Sequence, residues 1–445
     1  MNRSAVIAWA ATMACACTPQ PTLPDGTLDP VRIAIVTSLS GALGTDGPGW
    51  RDASRLVAHE VNAAGGVLDG RPLELVILDD ATDTAPASTA ALGEEVLARD
   101  VVGVVGAAAS SITLGIAGVV TEAQMPQISC CSTSDLITTF NAGLAPEARF
   151  LFRTAPADNL QALVVALAAQ DRMCTSLAIL HLDDDYGQPF GEAIEAAWRA
   201  PAPGRPTGGV VAVRVSYTEN QPSYAAEVAM VLSAVPAPDC IALVAFPRSG
   251  GTIIRDWASG GGSLDMIWIG TDGIRTPGII DEIGDPTLVR NLFGTSPITD
   301  APTPEYNDFR DRFEAAFGSA PIPFSSNQYD ATALMALAIA RAGSTDGVAI
   351  RDALREVSTR DMERDFERAG ALANALAEIR RGNDIDYHGA SGNTDFDEFG
   401  NVITPYEIWR FDAPSVTPCP TSTDLGMMRG SFCRYRTLSA EEIAP

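Results

Sequence analysis

The residues able to do chemistry in this chain gather in six short runs. They are SLSGALGTDG (38–47), GAAASS (106–111), SCCSTS (129–134), LDDDYG (182–187), AFPRSG (245–250) and GTDG (270–273). Five of the six place small hydroxyl residues or glycine at the start of a turn or helix. Backbone N–H groups at a helix N-terminus attract a carboxylate, and Ser or Thr hydroxyls add donors. Taken singly, Ser110, Ser132 or Thr133 reads better as a helix cap. Several converging on one edge point to an anion site. Acids such as Asp79–Asp80 and Asp183–Asp185 also stand at strand ends, where a solvated turn acid is the common case and general-acid work would need a shifted pKa.

Catalysis finds little support. The three histidines, His59, His181 and His388, are scattered, without metal-ligand spacing. The chain has no lysine, which removes a P-loop lysine, a Schiff base and any Ser-Lys pair. No GxSxG elbow is present. GPGWRD (47–52) starts like a dinucleotide fingerprint but lacks the third glycine. No metal, cofactor or catalytic residue is expected. The formal net charge of −26 repels phosphate backbones and argues against nucleic acid.

These runs need elements to position them. VRIAIVT, LELVILDD, VVGVVGA and MPQIS read as strands, separated by helices over 48–64, 86–100 and 110–124. Strands alternating with helices imply βαβ units and a parallel sheet. The rhythm restarts after FLFRTAPADN (150–159), so the chain reads as two similar α/β lobes, each a parallel sheet flanked by helices. Later segments are helical, including ERAGALANALAEIRRG (367–382). GNTDFDEFGNVITPYEIWRF (392–411) reads as a strand pair turning at Phe399-Gly400-Asn401. In open parallel sheets ligands bind beyond the carboxyl ends of the strands, where the six runs fall.

The first residues read as an export signal: Arg3, then the short apolar run AVIAWAATMACA, ending in MACAC. That ending is similar to a bacterial lipoprotein box. Residues 1–17 are expected to be a lipoprotein signal peptide lipidated at Cys17, with Cys15 the alternative, and 18–30 a flexible tether. The chain would then sit in the periplasm or on the cell surface, anchored by lipid alone.

Taken in order, IAIVTSLSG, EVNAAGGVLDGRPLELVILDD, VVGVVGAAASSIT, MPQISCCSTSD, FLFRTAP, DDDYG, GTDG and DIDYHGASGNTDFDEFGN resemble the type I solute-binding proteins of ABC transporters, in the leucine/isoleucine/valine branch. The resemblance runs from about Val31 to Phe411. It implies a two-lobed Venus-flytrap fold with three hinge crossings, placed near Arg153, Pro297 and Asp386. Lobe 1 would be 31–153 and 298–385, lobe 2 154–297 and 386–411, and 412–445 a C-terminal tail. The implied partners are a small zwitterionic ligand and an ABC permease, with the protein a monomer. An alternative role is a sensing receptor for an amide, a short peptide or an aromatic acid.

The same resemblance implies a ligand carboxylate held by Ser110, beside Ser111, and by Cys131, Ser132 and Thr133. The ammonium would meet Asp272, with Tyr186 and Phe246 as aromatic walls. Three departures stand out. Cys130-Cys131 replaces the usual Pro-Ala, and Asp272 is one methylene shorter than the usual Glu. The common first-lobe aromatic is missing near Thr45 and Asp46, where the extra acid favours a more polar or cationic ligand. The other cysteines fit as Cys174–Cys240, at the starts of two second-lobe strands, and Cys419–Cys433 in the tail. Cys130 and Cys131 either stand as small buried residues or are bonded to each other.

Overall fold

A computed structural model describes residues 28–359, 365–368, 371–412 and 431–443. The expected lipidation site Cys17, its alternative Cys15, and Cys419 lie outside them.

The first lobe is built on five parallel strands: β1 (Val31–Thr37), β2 (Leu73–Asp79), β3 (Val104–Val105), β4 (Gln127–Ser129) and β5 (Leu151–Arg153), in the order β2-β1-β3-β4-β5. Helices α1 (Gly47–Ala63), α2 (Pro86–Leu97), α3 (Ser110–Val120) and α4 (Asp135–Ala142) follow the first four strands. The apolar residues of β1 are buried, as expected for a strand covered by helices on both faces.

The second lobe repeats the plan with α5 (Asp158–Asp171), β6 (Ser176–Leu182), α6 (Gly187–Arg199), β7 (Val210–Tyr217), α7 (Ala225–Leu232), β8 (Cys240–Val244), α8 (Pro247–Ser259), β9 (Ile267–Gly270), α9 (Gly278–Ile283) and β10 (Leu292–Pro297). Its parallel part runs β7-β6-β8-β9-β10, the same order as the first sheet. β6 and β8 are neighbours, and Cys174 and Cys240 at their starts are disulfide-bonded.

The chain then returns to the first lobe through α10 (Pro304–Phe317), α11 (Ser325–Ala342), α12 (Gly347–Ser358), β11 (Asp365–Arg368), α13 (Leu372–Arg380), β12 (Ile385–Gly389) and β13 (Gly392–Asn393). Residues 325–339 of α11 are buried throughout, so this helix is the spine of the first-lobe core. The final elements, β14 (Tyr406–Asp412), β15 (Ser431–Leu438) and α14 (Ala440–Ile443), belong to the second lobe, with β14 antiparallel to β10 and β15 antiparallel to β14.

Four expectations change. The third crossing lies at 403–405, not near Asp386, because Tyr387, Phe396 and Val402 pack in the first-lobe core and the Tyr387 hydroxyl donates to Asp330. The strand pair over 392–411 does not form. Asp397 closes the turn on itself, accepting from Phe399 N and Asn401 N, while β14 ladders with β10 in the other lobe. The helix expected from Glu367 starts at Leu372, because 365–368 pair with β12 instead. The tail carries β15, and its Cys433 is disulfide-bonded.

The three crossings, 154–157, 298–303 and 403–405, are tied side by side. Ile298 N donates to Pro405 O, and the Tyr406 hydroxyl donates to Ala157 O. Thr154 and Asn327 exchange two hydrogen bonds with each other's backbone, and Ser326 donates to Thr299 O. Buried Arg153 donates to Asn401 Oδ1 and to the carbonyls of Ser132 and Ser134, linking hinge and cleft wall.

Candidate functional site: the interlobe cleft

Between the carboxyl ends of the two sheets lies a cleft of about 500 Å³. Of the ten candidate ligand residues, seven line it: Asp46, Ser110, Cys131, Thr133, Tyr186, Phe246 and Asp272. Each stands just beyond a strand end, after β1, β3, β4, β6, β8 and β9. Strand order reverses at β1/β3 and at β6/β8, the switch points where such sheets open a crevice.

The other three do not line it. Ser132 Oγ donates to Ala108 O at 3.0 Å and pairs with Thr113 Oγ1 at 2.8 Å. Ser111 Oγ accepts from Asp185 N at 3.1 Å, across the lobe boundary. Thr45 lies against Gly278 of the second lobe. Ser111 and Thr45 thus help the lobes meet, as does Ser134 Oγ, which donates to Asp185 O at 2.6 Å. The N–H groups of Cys131 and Ser132 both donate to Ser129 Oγ, at 3.4 and 3.1 Å, so they are not free to hold an anion.

At the anion end, α3 begins at Ser110, with its first N–H groups free of intrahelical partners. Ser110 Oγ accepts from Ser134 N at 3.3 Å, which leaves its own proton to donate. Cys130 and Cys131 are bonded to each other, and Cys131 presents that disulfide to the cleft as an apolar wall.

At the opposite end Asp272 is buried. Its Oδ1 accepts from Gln161 Nε2 at 2.8 Å and from the Tyr186 hydroxyl at 3.3 Å. Tyr186 stacks on Phe246 with centroids 5.7 Å apart. Gly273 lets the loop close: a Cβ there would meet Ala245 O at 2.5 Å. Burial pushes the Asp272 carboxyl up to about 6. Asp158, at the start of α5, is buried beside Thr133, whose carbonyl accepts from Asp158 N at 2.8 Å, and burial, then the nearby charges of Asp272 and Asp135, push it well above the usual range. Asp158 stands behind the cleft wall, next to Thr133 and near enough to Asp272 for their charges to interact. No arginine or histidine lines the cleft among the described residues.

Asp158 and Gln161 escaped sequence reading because they sit on the hinge helix, away from the motif runs. The first-lobe aromatic wall also exists, contrary to expectation. Trp50, one turn into α1, and Phe324, held at φ 64°, supply it. The Trp50 indole donates to Pro323 O at 2.9 Å, fixing its ring. The glycines of GPGWRD serve packing: a Cβ on Gly47 would meet Ser38 O at 1.8 Å.

Two α/β lobes of one topology, three adjacent crossings and a shared cleft define a two-lobed ligand-binding protein. Residues 30–404 match the periplasmic binding protein family, and the chain belongs to it. The substrate-binding protein BasB of a chemotactic signal transduction system in Halobacterium salinarum is 26% identical over 405 residues, 85% of this chain and 86% of that protein. The leucine-, isoleucine-, valine-, threonine- and alanine-binding protein of Pseudomonas aeruginosa is 25% identical over 351 residues, 78% of this chain and 88% of that protein. The crystal structure of the leucine-binding protein LivK of Thermotoga maritima superposes with a TM-score of 0.71 at 20% identity, covering 92% and 99% of the two chains. The chain is a solute-binding protein and not an enzyme.

Proposed function

We propose that the cleft captures a small zwitterion, an amino acid or close relative, and that hinge closure delivers it to an ABC permease. The observation that carries this reading is the pairing of an anion-attracting helix start, α3 with Ser110, with the buried acid Asp272 across one cleft. The ligand carboxylate sits at Ser110 and Thr133, and its ammonium at Asp272. A plain carboxylic acid without an amine would leave Asp272 uncompensated, which disfavours it. The names of the Pseudomonas and Thermotoga proteins support an amino acid. The name of the Halobacterium protein supports a second role on the same fold, reporting the bound solute to a signalling partner.

Lipidation at Cys17 places the protein at a membrane surface in this reading. Metabolic labelling with a fatty acid tests it: label should enter the wild type and be lost in Cys17→Ser. A thermal-shift screen of amino acids tests the ligand. Stabilisation by at least one α-amino acid is expected, and no response to any amino acid or close relative would overturn the reading.

A further inference from the structure

The first-lobe acid of the cleft, Asp46, is not explained by an amino-acid head group. Asp46 precedes α1 as its N-cap residue, yet its side chain makes no cap hydrogen bond to the helix. It is buried, it lines the cleft, and its Oδ2 has no hydrogen-bond partner. Thr276 of the opposite lobe lines the same cleft beside it. A buried carboxylate oxygen left unpaired is costly, so a site of this form is completed by a donor from outside the protein.

The strand order places that donor. Thr133 follows β4 and Asp46 follows β1, with β3 between them. The two therefore reach the cleft from loops on different strands of the sheet. The wall between carries Trp50, Phe246 and Phe324. An aliphatic side chain such as leucine's would reach the aromatic wall and leave Asp46 unmet.

We propose that Asp46 is a specificity residue that selects zwitterions bearing a second hydrogen-bond donor at the far end of the side chain: an amine, hydroxyl or amide N–H with the reach of ornithine, lysine or tyrosine. This rests on the zwitterion reading above. Aromatic rings flanking the approach favour a cationic or aromatic donor-bearing chain. Asp46 of the first lobe and Thr276 of the second line one cleft, so a ligand that meets both couples selection to closure.

The test is calorimetric titration of the wild type, Asp46→Asn and Thr276→Val with three matched pairs: norvaline and ornithine, norleucine and lysine, phenylalanine and tyrosine. Each pair differs by the terminal donor alone. The wild type should favour the donor-bearing member of at least one pair by about tenfold or more, the scale of a charge-assisted hydrogen bond. Asp46→Asn should erase that preference, and Thr276→Val should keep it while weakening both members. Preference for the apolar member of every pair overturns the proposal. So does an equal loss for both members in both variants, which would make Asp46 a closure latch alone. Failure of all six compounds and of every other α-amino acid instead removes the zwitterion reading, and this proposal with it.

Discussion

In the proposed reading the ligand's ammonium depends on Asp272. Its removal should cost more than about 3 kcal/mol of binding, over a hundredfold, as for one partner of a buried charge pair. Titration of Asp272→Ala with the wild-type ligand checks this, and unchanged affinity would show the ammonium to bind elsewhere. Ser110→Ala should cost less, about 1–3 kcal/mol, because the α3 backbone donors remain. Burial pushes Asp272 up to about 6 and Asp46 up to about 7, from 3.8. A raised carboxylate is held protonated more tightly in the folded chain. It is therefore neutral at low pH and costs stability as pH climbs from about 4 through those values. A bound cation offsets that cost, so the ligand-induced thermal shift should grow between about pH 5 and about pH 8, and a flat or falling shift would contradict it. Asp272, Tyr186 and Phe246 are reached through the family resemblance, and the structure brings all three to one cleft. Ser132 and Ser111 misled because a hydroxyl's direction follows from neighbours that sequence does not show, here Ala108 and Asp185.

Among the elements, the strands at the second-lobe edge carry the largest electrostatic commitment. Glu407 of β14 is fully buried and pairs with Arg275, which follows the Asp272 loop, and with Arg434 of β15. Asp300 of the second crossing pairs with the same two arginines. Glu407→Ala should destabilise the fold by about 3–5 kcal/mol by leaving the buried Arg275 and the half-buried Arg434 short of a partner. Denaturant unfolding measures it, and a loss below about 1 kcal/mol would show the network to be dispensable. The Cys174–Cys240 disulfide closes a sequence separation of 66 residues, worth about 4 kcal/mol on the chain-entropy account. Its double alanine variant should unfold at lower denaturant yet bind with unchanged affinity. β6 and β8 were recognisable from their apolar runs, and the cysteine pair followed if they were neighbours. β15 was hidden, because SFCRYRTL alternates apolar and basic residues in a tail dominated by Pro, Ser and Thr. β3 and β4 are too short to carry a period, and the glycine and proline around them set their ends.

For the whole molecule, the doubled βα rhythm gave two lobes, and the structure gives both sheets one strand order. What the rhythm could not fix was where the chain last crosses. That depends on long-range packing of Tyr387 and Phe396 against α11. Three crossings hydrogen-bonded to one another suit rotation of rigid lobes about a narrow hinge. Contacts such as Ser134–Asp185 and Asp46–Thr276 bridge the lobes, so the described arrangement has the lobes meeting over the cleft. The central claim is that this cleft recognises the ammonium and carboxylate of one small molecule together. The most direct measurement is calorimetric titration with the amino acid that stabilises the protein most, set against its 2-oxo acid, which keeps the carboxylate and side chain but lacks the ammonium. The account predicts binding of the amino acid and at least about a hundredfold weaker binding of the oxo acid. Equal binding of the two would contradict it.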